Sequence, residues 1–444
     1  MALVTARFAV KPPRQRVAGV EAKRSPQNRR TLIVRLIMNI TFVSLPAYPI
    51  VHPEYPGIYG GTETRAVTLA KGLARESDHQ IQFLARHLQL KQSETIDQVH
   101  WHPWRDPTAE RNSRIAEFLH HKKWRTSLLW DVPGAAVGQL FTSSTDRFKQ
   151  TDKTLQCFDT DLFCPFGVHS ASAKIIHNAH VSRRKAVLFL GSNADVDSRY
   201  LQSKPFRNDY GERSTTCAWI LKNADAIVAQ NEFQQQQLKE VFQRESLLLP
   251  SPIDVVKWQS QMNSTESLDI PFDRYVLWIG RADNFSKRAD WAIEIARQTP
   301  ELNYVMILNP KQDHVEQQIR QNCPENVHII SQLPFEKMPA LLRNATLLLN
   351  TSPRQLEGLP NTFLQAGASR VPIVSTEVDA GFVTQSASGL VGDGSLERTI
   401  HNLRTLTQDE THRQLLGNNA YDNVKKKHEL KTICLQLASF FRTV

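Results

Sequence analysis

From Asn39 onward, short apolar runs alternate with stretches whose apolar residues recur every three or four positions. "NITFVS", "IQFLAR", "AVLFLG", "DAIVAQ" and "SLLLPS" read as buried strands, and "TETRAVTLAKGLARE", "YGERSTTCAWILKNA" and "NEFQQQQLKEVF" as the helices between them. The stretch 249–274 is rich in Pro, Ser and Asp and lacks a period, so it reads as a link between domains. The alternation then restarts with "YVLWIG", helices near 287–298, 313–322 and 335–344 between "NYVMILN" and "NVHIIS", and "ATLLLNTS" followed by "RQLEGLPNTFLQAGASRVPIVST". Regular strand and helix alternation predicts parallel α/β layers. The expected architecture is two Rossmann-like, doubly wound parallel-sheet domains facing a central cleft. Their expected bounds are 38–250 and 274–425, with a linker at 251–273 and a final helix, 426–444, able to cross back to the first domain.

At 444 residues the chain exceeds one ordinary core, which agrees with two domains. A content of 41% hydrophobic and 22% charged residues excludes a wholly disordered chain. The formal charge of +10 invites a nucleic-acid reading, but its distribution removes that reading. Eight of the ten net charges fall in residues 1–37, which hold nine Lys or Arg against Glu21, so the body is nearly neutral. The basic leader, with Pro12, Pro13 and Pro26, is expected to be disordered, and Met38 is an alternative start ahead of the first strand. Arg35, Asn39 and Pro46 interrupt the apolar stretch that a signal anchor would need. Five scattered cysteines without a CxxC pair argue against a disulfide framework or zinc site and fit a reducing compartment.

Three loops carry candidate chemistry. In "YPGIYGGTETR" (55–65), Gly57, Gly60 and Gly61 let backbone amides approach a phosphate, and Thr62 is placed to cap the following helix; a plain turn is the alternative. In "VLWIGRADNFSKRAD" (276–290), a buried strand ends at Gly280-Arg281 and Lys287 follows at the next helix entrance, two cations where a diphosphate could sit. Lys287 beside Arg288 can also be read as a solvated face. In "EGLPNTFLQ", Glu357 stands at a helix mouth, eight residues or about two helical turns before Gln365. There Glu357 can accept from sugar hydroxyls or merely complement the helix dipole. All three loops run from a strand into a helix, toward one cleft.

These motifs, in this order, resemble the retaining glycosyltransferases of the GT-B fold, in particular family four (group 1), over nearly all of residues 38–444. "GIYGGTE", "WIGRADNFSKR" and "EGLPNTFLQAGASRVPIVS" carry the likeness, with "ADAIVAQNEFQQQQL", "PSPID" and "GNNAYDNVKKKHEL" beside them. The resemblance implies that Arg281 and Lys287 neutralise a leaving nucleoside diphosphate and that Glu357 contacts the donor sugar. It assigns the backbone of Gly358, Leu359, Pro360 and Asn361 to sugar and phosphate, and Gln365 to the ribose. Gly60, Gly61 and Gly280 would leave room for the donor. It further implies metal-independent transfer with retention and no cofactor beyond the nucleotide-sugar. Two positions depart from the pattern: Gln365 replaces a second Glu, and Arg370 stands where a glycine precedes "VP". His169 in "FCPFGVHSASA" matches a histidine the family often places near the sugar, and reads equally as a capping or packing histidine.

The resulting expectation is a cytoplasmic hexosyl transferase, soluble or peripheral to the inner face of a membrane, acting in surface polysaccharide or glycolipid synthesis. Its partners would be a nucleotide-sugar and a carbohydrate or lipid-linked hydroxyl acceptor, with no nucleic acid. "HHKKWRTSLLW" (120–130) suits a helix resting on anionic lipid, or a solvated amphipathic helix. The rival readings are a sugar-nucleotide epimerase of the same architecture and a catalytically degenerate nucleotide-sugar-binding subunit.

Overall fold

The computed structural model describes residues 37–55, 57, 59–105, 111, 115, 118, 126–133, 147–263 and 268–444. The basic leader up to residue 36 and residues 120–125 of the lipid-facing candidate lie outside them. Two sheets form. The first holds β1 (Asn39–Val43), β2 (Gln80–Ala85), β3 (Glu94–Ile96), β4 (Val99–Pro103), β5 (Leu162–Pro165), β6 (Lys185–Phe189), β7 (Ala226–Ala229) and β8 (Leu247–Leu248). Their order is β3-β4-β2-β1-β5-β6-β7-β8, and every pairing is parallel except β3 with β4. The edge hairpin β3-β4 is the part of this sheet that strand and helix alternation did not foresee.

The second sheet holds β9 (Tyr275–Arg281), β10 (Tyr304–Asn309), β11 (Val327–Ile330), β12 (Ala345–Asn350), β13 (Ile373–Ser375) and β14 (Gly389–Val391), all parallel, in the order β11-β10-β9-β12-β13-β14. Both faces of its central strand are buried. Tyr275 and Leu277 of β9 enter one core and Val276 and Trp278 the other, as the two-residue period of a strand covered on both sides requires. Each sheet begins at its centre and winds outward twice. The reversal points lie between β1 and β5 in the first sheet and between β9 and β12 in the second. Ligands collect at the carboxyl ends of strands flanking such a reversal.

The chain crosses between domains twice, at neighbouring places. Ile253 N–H donates to the His428 carbonyl at 2.8 Å, and Leu430 N–H returns to the Ile253 carbonyl at 3.1 Å. The stretch 251–273, expected as a linker, holds a helix at Val255–Met262. Trp258 on it is buried in the second domain's core and donates from Nε1 to Ser369 Oγ at 2.8 Å. After the second crossing, the helix Leu430–Phe441 packs into the first domain's core against the helix Gly61–Glu76. Gly72 permits that approach, since a Cβ there would lie 2.6 Å from Cys434 Sγ. The five cysteines are free, and no helix among the described residues is long and apolar enough to cross a membrane.

Candidate active site

Lys287 and Glu357, expected from separate motifs, meet in the structure as an ion pair, each side chain about one-fifth exposed. They come from the loops after β9 and β12, the two strands flanking the reversal of the second sheet. The loop after β9 folds around Asp283, which the sequence reading passed over. Its buried carboxylate accepts from the backbone N–H of Ser286 at 2.6 Å and of Lys287 at 2.9 Å, and from the Ser286 hydroxyl at 2.7 Å. Burial pushes Asp283 up, but the Ser286 hydroxyl, the two N–H groups and the nearby Arg281 outweigh it and hold the carboxyl below its ordinary value. The signal was present in "DNFSK", an Asp whose side chain reaches the backbone three and four residues on. Arg281 sits beside this knot, with Nε 3.8 Å from Asp283 Oδ2 and a guanidinium N–H donating to Ser286 Oγ at 3.3 Å. Thr351, just past β12, fixes the Lys287 carbonyl at 2.5 Å. Arg288 turns away. Its backbone is left-handed at φ 47°, and its guanidinium lies 4.5 Å from the Trp291 ring and pairs with Glu377.

Gly280 and Gly358 are glycines for different reasons. A Cβ on Gly280 would overlap the Trp278 ring, 2.6 Å from its Cζ2 and nearer still to Cη2, and Trp278 is fixed by donating to Thr351 Oγ1 at 2.9 Å. A Cβ on Gly358 would find Asn231 Nδ2 at 3.6 Å, ordinary contact. The helix after Gly358 starts only at Asn361. Pro360 precedes it in an extended conformation, with no side chain capping the first turn. Glu357 and Gln365 therefore do not share a helix face, correcting the two-turn relation expected from their spacing: proline fixes φ and removes a donor, so the helix begins after it. Leu359 packs at the edge of the second domain's core. Gln365 lies within the helix, its Oε1 buried and without a hydrogen-bond partner among the described residues. Arg370 ends the same helix at φ 58°, closing it with Val371 N–H to the Ala366 carbonyl at 2.9 Å and Arg370 N–H to the Gly367 carbonyl at 3.0 Å. The guanidinium lies 3.8 Å from the Tyr421 ring centre and donates to Asn418 Oδ1 at 2.8 Å, contacts that a glycine could not make.

The first domain brings neutral groups to the same place. Gly61 opens the helix after β1, and a Cβ there would lie 3.1 Å from Asn361 Nδ2 of the second domain. Gly60 N–H donates to Glu63 at 2.7 Å, so the helix is closed by Glu63 reaching back. Thr62, expected as the cap, instead donates to the Gly191 carbonyl at 3.2 Å, because it lies inside the first turn and faces the loop after β6. His169 follows β5 as the N-cap of the helix Ser170–Val181, its Nδ1 accepting from Ser172 N–H at 3.3 Å. Asn193 and Asn231, also unforeseen, face Gly358; Asn231 donates to Asn193 Oδ1 at 3.1 Å. Beneath them, buried Arg65 donates to the carbonyls of Leu190 at 3.1 Å and Leu249 at 2.7 Å, and burial pulls its guanidinium down to about 9. Buried Asp195 accepts from Gly191 N–H at 2.6 Å, and burial pushes its carboxyl up against that bond.

Residues 273–409, which include β9, β12 and both charged loops, match the family model described as Glycosyl transferases group 1. No curated protein matches the sequence. Among solved structures, a sucrose-phosphate synthase from Thermosynechococcus elongatus is similar over 91% of this chain and 98% of its own, with 14% identity and a TM-score of 0.64. The Anabaena HepE structure in complex with UDP and glucose is similar over 92% and 100%, at 13% identity and a TM-score of 0.62. The trehalose-6-phosphate synthase OtsA is similar over 91% and 99%, at 12% identity and a TM-score of 0.64. The chain has the GT-B fold these glycosyltransferases share, and its second domain carries the group 1 glycosyltransferase match.

Proposed function

We propose that this protein is a retaining glycosyltransferase that moves a hexosyl group from a nucleoside-diphosphate sugar to a hydroxyl acceptor on a carbohydrate or lipid-linked saccharide, in surface polysaccharide or glycolipid synthesis. The observation that carries the reading is the Lys287–Glu357 pair at the reversal point of the second sheet. Each group neutralises the other, so a ligand that parts them must offer an anion to Lys287 and hydroxyl donors to Glu357. A nucleotide-sugar carries both, joined at the bond to be broken.

In this reading Arg281 and Lys287 stabilise the charge that grows on the departing diphosphate, and no resident metal is needed for that task. Glu357 holds sugar hydroxyls, the uncapped N–H groups at Asn361 face the phosphates, and the unmet acceptor of Gln365 takes a ribose hydroxyl. The C1–phosphate bond breaks and the acceptor oxygen bonds C1 on the same face. The acceptor proton passes to the departing phosphate oxygen. In the same reading His169, the N-cap after β5 on the first domain's wall, faces the donor sugar.

Calorimetry tests the reading with UDP, GDP and ADP and their common sugar conjugates. UDP comes first, since the HepE structure holds it. One nucleoside diphosphate should bind, with affinity reduced on the order of a hundredfold in Arg281→Ala. If folded protein binds none of them, the transferase reading fails. Donor binding without hydrolysis or transfer would select the degenerate subunit, and an isomerised nucleotide-sugar the epimerase.

A further inference from the structure

The turn Leu45–Ile50 after β1 and the loop after β2 enclose a hollow of about 420 Å³ beside the glycine loop. Tyr55 forms its aromatic wall with Tyr48, His52 and His87, at ring-centre distances of 6.0, 5.0 and 5.6 Å. The polar groups are set between the rings. Tyr48 donates its hydroxyl to Glu94, and His52 Nδ1 lies 2.8 Å from Glu54 Oε1. His52 Nε2 is buried without a hydrogen-bond partner among the described residues and lies 3.5 Å from Glu94 Oε1.

We propose that this hollow is a binding subsite for a neutral saccharide, the portion of the acceptor remote from the reacting hydroxyl; the assignment rests on the transferase reading above. Tyr48, His52 and Tyr55 give the hollow an aromatic lining, apolar surface of the kind a pyranose packs against. The second oxygen of Glu94 takes hydroxyl protons and His52 Nε2 hydrogen-bonds to a hydroxyl, while Lys91 and the Gln89 and Gln92 amides donate to hydroxyl oxygens. Lys91 and Arg105, which donates to the Lys91 carbonyl at 2.9 Å, match Glu54 and Glu94, so these four side chains carry no net charge to draw a phosphate or uronate. The hollow lies at the carboxyl ends of β1 and β2, on the edge that carries Gly60 and Gly61. Tyr55 and Gly60 are five residues apart, a span of at most ~18 Å. Gly57 is held to the same turn, since a Cβ there would sit 3.1 Å from Pro49 Cβ.

An array of neutral and acidic oligosaccharides, in free and alkyl-linked forms, tests this with wild-type protein, Tyr55→Ala, Tyr55→Phe and Glu94→Gln. Neutral glycans should bind the wild type; Tyr55→Ala and Glu94→Gln should weaken that binding roughly tenfold or more, and Tyr55→Phe should keep most of it. Retention by the alkyl-linked forms alone would identify a lipid-linked acceptor as the source of the same saccharide. No neutral glycan bound, a preference for acidic glycans, or binding indifferent to Tyr55→Ala would each overturn the subsite. Calorimetry with UDP on the same samples separates the two readings: nucleotide binding intact in all variants leaves the transferase standing whatever the array shows.

Discussion

The two walls of the cleft are made of different chemistry. On the second domain's wall, Arg281, Lys287 and Glu357 stand partly exposed in the cleft, connected through the buried carboxylate of Asp283. On the first domain's wall, apart from Glu63 holding Gly60 N–H, the groups nearest Gly358 and Asn361 are backbone and amides with one capping histidine, and the charges Arg65 and Asp195 are buried beneath, bonded to loop carbonyls and N–H groups. The difference teaches where each wall spends its electrostatics. A charged wall that neutralises itself when empty can exchange an internal partner for a ligand. A neutral wall with buried charges only fixes the shape of the loops that approach it.

The largest test of this contrast compares Lys287→Ala with His169→Ala. Losing Lys287 removes a cation from the developing phosphate charge and leaves Glu357 unpaired, so kcat for donor hydrolysis or transfer should fall about 10²- to 10³-fold. His169→Ala removes a capping acceptor from a neutral wall, and roughly tenfold or less is expected. Equal or reversed losses would erase the distinction between the walls. Added EDTA should leave the rate unchanged, since Arg281 and Lys287 supply the positive charge in this reading.

The two walls are joined where His428 is buried, its Nδ1 2.8 Å from the Ser251 carbonyl. Burial pulls the imidazole down to about 4 from 6.5, so the folded state holds it neutral. A group with a depressed folded pKa contributes its stability above the unfolded pKa. That contribution is lost as pH falls from 6.5 to 4, on the order of 3 kcal/mol. Urea midpoints of wild type and His428→Gln measured across this window should converge toward its acid end. Parallel curves would mean the joint between the walls is indifferent to this proton.

The glycines sharpen the contrast within the charged wall itself. Gly280→Ala pushes a methyl into the Trp278 ring and should destabilise by about 1–3 kcal/mol in thermal unfolding. Gly358→Ala has room for its methyl and should change stability by no more than ~0.5 kcal/mol. Its expected effect is on donor affinity, weakened roughly tenfold, because the methyl occupies space that only a ligand would fill. A Gly358→Ala protein that binds donor normally would return Gly358 to the status of an ordinary loop residue.

The charged wall was legible because its residues lie in short runs at strand ends. "IGRADNFSK" and "EGLPN" each place a charge beside a glycine after an apolar strand, and the reversal of strand order brought the two runs together. Asp283 was visible in the same run and was missed because its role is to bind backbone, which a search for ligand-facing charges does not weigh. The neutral wall was less legible. Asn193 and Asn231 lie 38 residues apart; Asn231 falls in "ADAIVAQNEFQQQQL" but Asn193 has no motif around it, and their meeting depends on how β6 and β7 pack. The aromatic hollow joins residues after β1 with residues after β2, and no local period encodes that pairing. The helix at Val255–Met262 escaped because eight residues give too short a run of apolar positions to stand out from the prolines and serines around it.

The smallest expected effect concerns Arg370, where the sequence departs from a glycine in a left-handed turn. A non-glycine residue there costs about 1 kcal/mol of backbone strain. Against that, a guanidinium stacked on an aromatic face contributes roughly 0.5–1 kcal/mol, and its bond to Asn418 a comparable amount. Arg370→Gly gains the first and loses the other two, so its stability should stay within about 1 kcal/mol of wild type in chemical denaturation. Arg370→Ala keeps the strain without the contacts and should be the less stable of the two variants. Donor binding should survive both, since Arg370 closes the end of the helix opposite its entrance at Asn361. If Arg370→Gly instead abolished donor binding while remaining folded, the helix end would be coupled to its mouth, and the charged wall would extend across the whole helix rather than stopping at Glu357.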